Sequence, residues 1–293
     1  MSSNRRSAIK TMLAGSAALA AGDTLLSSFT NDKKENTLAL KGNINHSACR
    51  WVYSDIPLDE LCATGKKIGL KGIDLVGPKE FATLKKYDLH SPMCNGSEIS
   101  LTEGFNDKQY HSTLQKNYTD GINYVADAGY TNLICFSGSR RSIDDEAGLK
   151  ACVEGLQPLV SLAEKKKVVL VMELLNSKVD HHDYMCDNSK WGVELCKRLG
   201  SESFKLLYDI YHMQIDEGDV IATINKNHEY YAHYHTGGVP GRRDIDDTQE
   251  LYYPAIMRAI LATGYKGYVA QEFIPKGTDK IAALKKCVEI CDV

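Results

Sequence analysis

The chain has 293 residues and a formal net charge of −3, from 35 basic and 38 acidic side chains. Its basic residues are scattered along the sequence, which argues against binding to nucleic acid or to an anionic membrane. A single barrel of alternating strands and helices needs about 250 residues, so one domain accounts for this length. We therefore expect a protein that acts on a small molecule, without nucleic-acid binding and without stable membrane insertion.

The first 22 residues differ from the rest of the chain. A charged start containing Arg5-Arg6 precedes a short apolar run, whose end contains Ala18-Leu19-Ala20, an A-x-A-like cleavage pattern. This pattern is typical of a removable export signal, and the paired arginines resemble those of a twin-arginine signal. We predict a signal peptide over residues 1–22 and a polar tether over residues 23–42, in a periplasmic or exported protein. An amphipathic N-terminal helix is the alternative.

The nine cysteines are odd in number and contain no CxxC pair. A disulfide scaffold favours even numbers in a much shorter chain, so we interpret these residues as mostly buried apolar side chains. Free thiols also agree with twin-arginine export, because that route carries proteins already folded in the reducing cytoplasm.

Eight runs rich in apolar, β-branched and aromatic residues predict β-strands. They cover residues 44–51, 71–76, 88–94, 131–137, 167–175, 204–211, 230–236 and 266–273. Helical patterns lie between them, at residues 58–68, 107–128, 144–167, 188–199, 220–226, 252–263 and 278–291. This alternation predicts a parallel sheet, and eight strands favour closure into a single α/β domain, a (β/α)8 TIM barrel over residues 43–293. An open doubly wound sheet is the alternative.

Glycines provide further signals. Gly69, Gly129, Gly200 and Gly264 each stand where a predicted helix should end, shortly before the next strand. No glycine-rich phosphate-binding fingerprint follows the first strand, so a dinucleotide or nucleoside triphosphate site is not expected.

Four polar residues stand near the ends of four successive predicted strands: Glu173, Asp209, His235 and Glu272. The carboxyl ends of barrel strands meet at the rim where active sites form. Three carboxylates at one rim repel one another unless a divalent cation neutralises them. Oxygen ligands with one imidazole suit one Mn²⁺, Mg²⁺ or Co²⁺ ion. Each residue alone could instead cap a helix or fill the core.

Several motifs surround these four residues. They are Met172-Glu173-Leu174-Leu175-Asn176, Tyr208-Asp209-Ile210-Tyr211-His212-Met213-Gln214, Gly218-Asp219, Val239-Pro240-Gly241-Arg242, Gly264-Tyr265-Lys266-Gly267-Tyr268 and Gln271-Glu272-Phe273. From about residue 45 to the C-terminus the chain resembles the hydroxypyruvate isomerase family. That family belongs to the xylose-isomerase-like barrels, which also include the ketose 3-epimerases.

The resemblance implies a role for each matching residue. It makes Glu173, Asp209, His235 and Glu272 the metal ligands, and Glu173 and Glu272 also the acid/base pair. His212 and Arg242 become contacts to substrate oxygens.

Two departures from the family pattern bear on the substrate. Hydroxypyruvate isomerases carry Gln where His235 stands, whereas ketose 3-epimerases carry His. Residues 179–184, which contain His181 and His182, replace a Pro-Gly loop. These two histidines either line the mouth of the site or lie on the surface.

The predicted chemistry is proton transfer next to a carbonyl group. A divalent ion chelated by a carbonyl and a neighbouring hydroxyl stabilises an enediolate, while Glu173 and Glu272 remove and return the proton. Arg242 offers a fork suited to a carboxylate or is a surface charge, and Asn176 orients Glu173 or contacts substrate.

We thus predict a divalent-metal-dependent isomerase, like hydroxypyruvate isomerase, that acts on a small hydroxycarbonyl or sugar. A ketose 3-epimerase, an envelope 3-keto-glycoside lyase or hydratase, and a non-catalytic sugar-binding barrel are the alternatives. A homo-oligomer is compatible with each of them. A metallo-endonuclease is disfavoured by the near-neutral charge.

Overall fold

A parallel sheet forms the centre of the protein. The computed structural model describes residues 39–293, so the predicted signal peptide and most of the predicted tether lie outside the described residues. The strands are β1 (Asn45–Cys49), β2 (Gly72–Asp74), β3 (Asn132–Cys135), β4 (Val169–Glu173), β5 (Phe204–Asp209), β6 (Tyr231–Thr236) and β7 (Tyr268–Gln271). Their order is β2-β1-β7-β6-β5-β4-β3, and every neighbouring pair is parallel.

Residues 90–95 join the two edge strands and close the barrel. On one side the Ile73 N–H donates to the His90 carbonyl at 3.0 Å, and on the other the Ile134 N–H donates to the Cys94 carbonyl at 2.9 Å. The predicted strand at 88–94 therefore pairs with both neighbours, but only through isolated bridges. Pro92 lies within it and has no N–H for a continuous ladder. The predicted barrel is confirmed, with seven strands and this bridging segment.

Nine α-helices accompany the strands in the described part of the chain. They are α1 (Leu58–Ile68), α2 (Phe81–Lys86), α3 (His111–Ala128), α4 (Asp145–Lys166), α5 (Ser189–Leu199), α6 (Ile210–Asp216), α7 (Val220–Asn227), α8 (Tyr253–Ala262) and α9 (Lys280–Cys291). The predicted seven are present, although the one at 107–128 begins with a 3-10 turn at Lys108–Tyr110. The prediction lacked α2, which is only six residues long, and α6, whose first two residues were assigned to a strand.

The fifth of the observed strands ends two residues earlier than predicted. Residues 210 and 211 belong to α6, because the Asp209 carboxylate accepts hydrogen bonds from the Tyr211 and His212 N–H groups and begins a helix there. Three of the four predicted capping glycines are confirmed: Gly69, Gly129 and Gly200 cap α1, α3 and α5 in the left-handed conformation. Gly264 is left-handed too but stands one residue later, because Thr263 is the C-cap of α8.

All nine cysteines are free and buried, as predicted. They pack with the apolar side chains of the hydrophobic core. Within residues 39–293, no helix has the length and apolar character needed to span a bilayer.

The buried residue His46, on β1, makes stability depend on pH. Its Nε2 atom lies 3.8 Å from Asp292 Oδ1. Burial lowers the pKa of His46 to about 4, although Asp292 opposes this shift. Between pH 6.5 and pH 4 the unfolded chain therefore binds a proton at this residue that the folded protein does not.

We expect the free energy of unfolding to fall as pH drops from 6.5 to 4, with His46 contributing up to about 3 kcal/mol of that loss. His46→Gln should make the fall shallower, whereas His228→Gln, at an exposed position, should leave it unchanged. Urea unfolding across this pH range measures the effect. Equal slopes for both variants would contradict the assignment.

Candidate active site

The structure brings the four predicted strand-end residues together at one rim. Glu173 ends β4, Asp209 ends β5, His235 lies in β6 and Glu272 follows β7 directly. All four are buried, and one donor atom from each lies within 4.8 Å of the others. Parallel pairing places Asp209 beside His235, so the register of β5 and β6 fixes their separation.

His235 lies between the two glutamates. Its Nδ1 atom is 2.7 Å from Glu272 Oε2 and 3.4 Å from Glu173 Oε1. Glu173 Oε1 is buried and has no hydrogen-bond partner among the described residues. A buried carboxylate oxygen without a partner needs a compensating group. Carboxylate oxygens and an imidazole nitrogen at this spacing fit a divalent cation.

Arg242 brings positive charge to the same carboxylates. It follows β6 in a left-handed backbone conformation with φ of 57°. Its Nη2 atom donates to Asp209 Oδ2 at 3.2 Å and to Glu272 Oε2 at 2.5 Å. The guanidinium also lies over the rings of Trp51 and Tyr211, at 5.4 and 5.6 Å. Arg242 thus contacts two of the predicted metal ligands; its predicted contact to substrate stays a prediction.

These contacts shift the pKa values of Glu272 and Asp209 in opposite directions. Burial on its own raises the pKa of Glu272, but Arg242 and His235 outweigh it and hold that pKa well below its usual value. Burial raises the pKa of Asp209 to about 7, with Arg242 opposing the shift. In the protein without a cation, Glu272 is therefore the more strongly ionised of the two.

Asn176 fixes the orientation of His212. The Asn176 amide donates to His212 Nδ1 at 2.6 Å, and burial keeps the pKa of His212 well below its usual value. The ring is neutral, and because Nδ1 accepts, we assign the proton to Nε2. Nε2 lies 3.7 Å from Asp209 Oδ2, at the predicted site.

Asn176 also holds the loop that follows β4. Its Oδ1 atom accepts from the N–H groups of Val179 and Asp180, at 3.0 and 2.9 Å. Its amide donates to Asp180 Oδ2 at 2.6 Å. The residue thus acts on His212 and on the loop; direct contact to substrate stays a prediction.

Several functional neighbours were missed from the sequence. The Trp51 indole donates to Glu272 Oε1 at 2.7 Å. Asp74 and Cys49 lie on the other side of the His235 ring, where Asp74 Oδ2 and Cys49 Sγ are each 3.7 Å from His235 Nε2. His233 Nε2 lies 2.5 Å from Asp74 Oδ2. A polar residue at the end of the run Gly72–Asp74 was a usable signal. So was the two-residue spacing of His233 and His235, which gives both the same face of β6.

A cavity of about 460 Å³ opens above Glu173, Glu272 and Arg242. One part of its wall is apolar and consists of Leu75, Ile99, Leu101, Ile134, Phe136 and Leu175. Trp51 and His181 also line it, and 42% of Trp51 is exposed. A larger cavity, of about 650 Å³, lies against α5 and α7 and contains none of the predicted site residues.

Comparisons with known proteins agree with this architecture. Residues 60–288 match the sequence model of the xylose isomerase-like TIM barrel family. The hydroxypyruvate isomerase of Escherichia coli K12 is 25% identical over 169 residues, which cover 56% of this chain and 65% of that one. The D-psicose 3-epimerase of Ruminiclostridium cellulolyticum is 28% identical over 228 residues, which cover 75% and 69%.

A solved structure shows the same fold. The family 2 AP endonuclease from Brucella melitensis superposes with a TM-score of 0.74 at 20% sequence identity, covering 84% of this chain and 99% of that one. At this identity the likeness concerns the fold alone.

Removing the Asn176 amide should destabilise the protein. Asn176→Ala leaves His212 Nδ1 and two loop N–H groups without their partner, at a fully buried position. We expect a loss of about 1–3 kcal/mol in the free energy of unfolding, measured with urea. Asn123→Ala, which removes a partly exposed amide that donates to the Thr119 carbonyl, is the control. Equal losses in the two variants would contradict this role.

Proposed function

The chain belongs to the xylose isomerase-like TIM barrel family, and we propose that it is a divalent-cation-dependent isomerase or epimerase of a small sugar. Relatives named as a hydroxypyruvate isomerase and a D-psicose 3-epimerase support the reaction class. The observation that carries the proposal is the buried group of Glu173, Asp209, His235 and Glu272, with donor atoms within 4.8 Å of one another.

These four residues would hold one Mn²⁺, Mg²⁺ or Co²⁺ ion. When bound, the cation offsets their negative charge and polarises a substrate carbonyl, which acidifies the adjacent C–H bond. Asp74, behind His235, supports the imidazole from the side opposite the two glutamates.

Two glutamates supply the proton transfer. Glu173 has a free buried oxygen that can accept the proton from the substrate carbon, while the electron pair of the broken C–H bond passes into an enediolate. Glu272 reaches the same space from the end of β7, three strand positions away in the sheet. Return of a proton to the opposite face of that carbon gives epimerisation, and return to the neighbouring carbon gives isomerisation.

The cavity favours a neutral sugar over an anionic hydroxyacid. Its charged lining consists of Glu98, Glu173 and Glu272 against Arg242, so a divalent cation leaves no excess positive charge for a substrate carboxylate. Arg242 is already engaged by Asp209 and Glu272. The indole of Trp51 and the apolar wall suit the C–H face of a sugar ring.

Epimerisation of a ketose is therefore favoured over isomerisation of hydroxypyruvate. The imidazole of His235, at the position where the ketose 3-epimerase pattern has His, points the same way. Elimination from a 3-keto-glycoside in the cell envelope depends on the predicted export signal, and it stays a prediction, as do the twin-arginine route and the oligomeric state.

Solvent deuterium exchange tests the proton transfer. The Mn²⁺-loaded protein should incorporate deuterium into D-fructose or D-psicose at the carbon next to the carbonyl, observed by NMR. Glu173→Gln and Glu272→Gln should each slow exchange by at least about 100-fold, because each removes an acid/base group. Glu60→Gln, on the exposed face of α1, should exchange normally. Normal exchange in both active-site variants would refute the mechanism.

Arg242 and the cation should compensate for each other. In the absence of a cation, Arg242→Gln removes the positive charge that Asp209 and Glu272 share, so we expect a lower melting temperature than in the wild type. Mn²⁺ should raise the melting temperature of both proteins, and more strongly in the variant.

Arg243→Gln is the matched control, since Arg243 is the exposed neighbour. A melting temperature that does not respond to Mn²⁺ in any of the three proteins would contradict the cation site.

A further inference from the structure

The loop between β4 and α5 carries two adjacent histidines in different surroundings. His181 lines the 460 Å³ cavity together with Glu173, Arg242 and Glu272. His182 is exposed, and its Nδ1 atom lies 3.1 Å from the Ser177 carbonyl. The sequence left open whether this pair lines the site or lies on the surface. The structure separates them, since only His181 faces the cavity.

The backbone of this loop is held independently of the His181 ring. The His181 N–H donates to the Asn176 carbonyl at 3.1 Å, and the Tyr184 N–H donates to the His181 carbonyl at 3.0 Å. Further along, Asp183 accepts from the Arg140 N–H at its carbonyl and from the Arg141 N–H at its carboxylate. The position of His181 is therefore set by main-chain contacts that a substitution of its ring leaves in place.

The His181 ring has hydrogen-bonding capacity that the protein does not use. It packs against His212 with ring centroids 5.2 Å apart, and within the described part of the chain His181 forms hydrogen bonds only through its main chain. Burial lowers the pKa of His181, so the ring is neutral at pH 7. A neutral imidazole offers one donor and one acceptor, the same pair that a hydroxyl group offers in return.

Resting on the function proposed above, we propose that His181 is a specificity-determining residue that binds a sugar hydroxyl beyond the reacting carbons. Glu173 and Glu272 hold the reacting end of the substrate on the cavity floor. His181 belongs to the loop above them, and a three-carbon substrate would leave much of the 460 Å³ empty. A ketohexose extends past the reacting carbons and can present hydroxyls to the free imidazole.

The test compares substrates of two lengths in matched variants. For D-fructose or D-psicose, His181→Ala should raise KM about 3- to 10-fold, the effect of one lost hydrogen bond, and should change kcat less than about twofold. His181→Gln, which keeps a donor and an acceptor, should restore most of the affinity. His182→Ala should match the wild type, and KM for hydroxypyruvate should be the same in all four proteins.

The outcomes separate this inference from the proposed function. A wild-type enzyme that acts on neither the ketohexoses nor hydroxypyruvate, with Mn²⁺ present, would overturn both. An active wild type with equal KM values in His181→Ala and His182→Ala would overturn the role of His181 alone. An equal rise of KM for the ketohexose and for hydroxypyruvate would place His181 at the reacting carbons instead, which also contradicts the inference.

Discussion

The repulsion among three carboxylates at one rim is the constraint on which the rest of the site depends. Glu173, Asp209 and Glu272 are buried within a few ångströms of one another. At such a position an ionised carboxylate raises the free energy of the folded protein unless it is paired with a positive charge. Arg242 and His235 supply the compensating groups within the protein. Glu173 Oε1, 3.4 Å from His235 Nδ1, is the ligand oxygen that the described residues leave without a hydrogen bond. The proposed divalent cation would complete this balance.

The scaffold divides support of the site between two levels. Below the rim, Asp74, His233 and Cys49 surround the far side of His235 inside the barrel. Above it, Asn176 links the loop after β4 to His212 on α6. Strand pairing positions the residues below the rim, whereas loop hydrogen bonds position those above it. In the proposed enzyme the reacting groups would stand on strands, and the groups that select the substrate would stand on loops.

Several features could be read from the sequence because they depend on local pattern. Apolar runs ending in Glu173 and Asp209 identified β4 and β5, and capping glycines such as Gly129 marked the helix ends. The short helix α2 was not predicted, because six residues are too few to show a helical periodicity. The end of β5 was misplaced because a side chain, Asp209, begins a helix inside an apolar run. The bridging segment at 90–95 was predicted as an ordinary strand. Only the observed hydrogen bonds to its neighbours show that the pairing around Pro92 is reduced to isolated bridges.

The sequence by itself determined the barrel, the four polar residues at the strand ends and the class of chemistry that they permit, because each of these follows from the order of residues along single elements. The tertiary structure alone decided which residues face those four. In the folded protein Arg242 contacts two of the carboxylates, Asp74 lies beside His235, and Trp51 donates to Glu272. His181 faces the cavity, whereas His182 faces solvent. Some of these contacts join residues that are far apart in the sequence; Trp51 and Glu272 are separated by 221 positions. No local pattern encodes such pairs, since they arise only when the barrel closes.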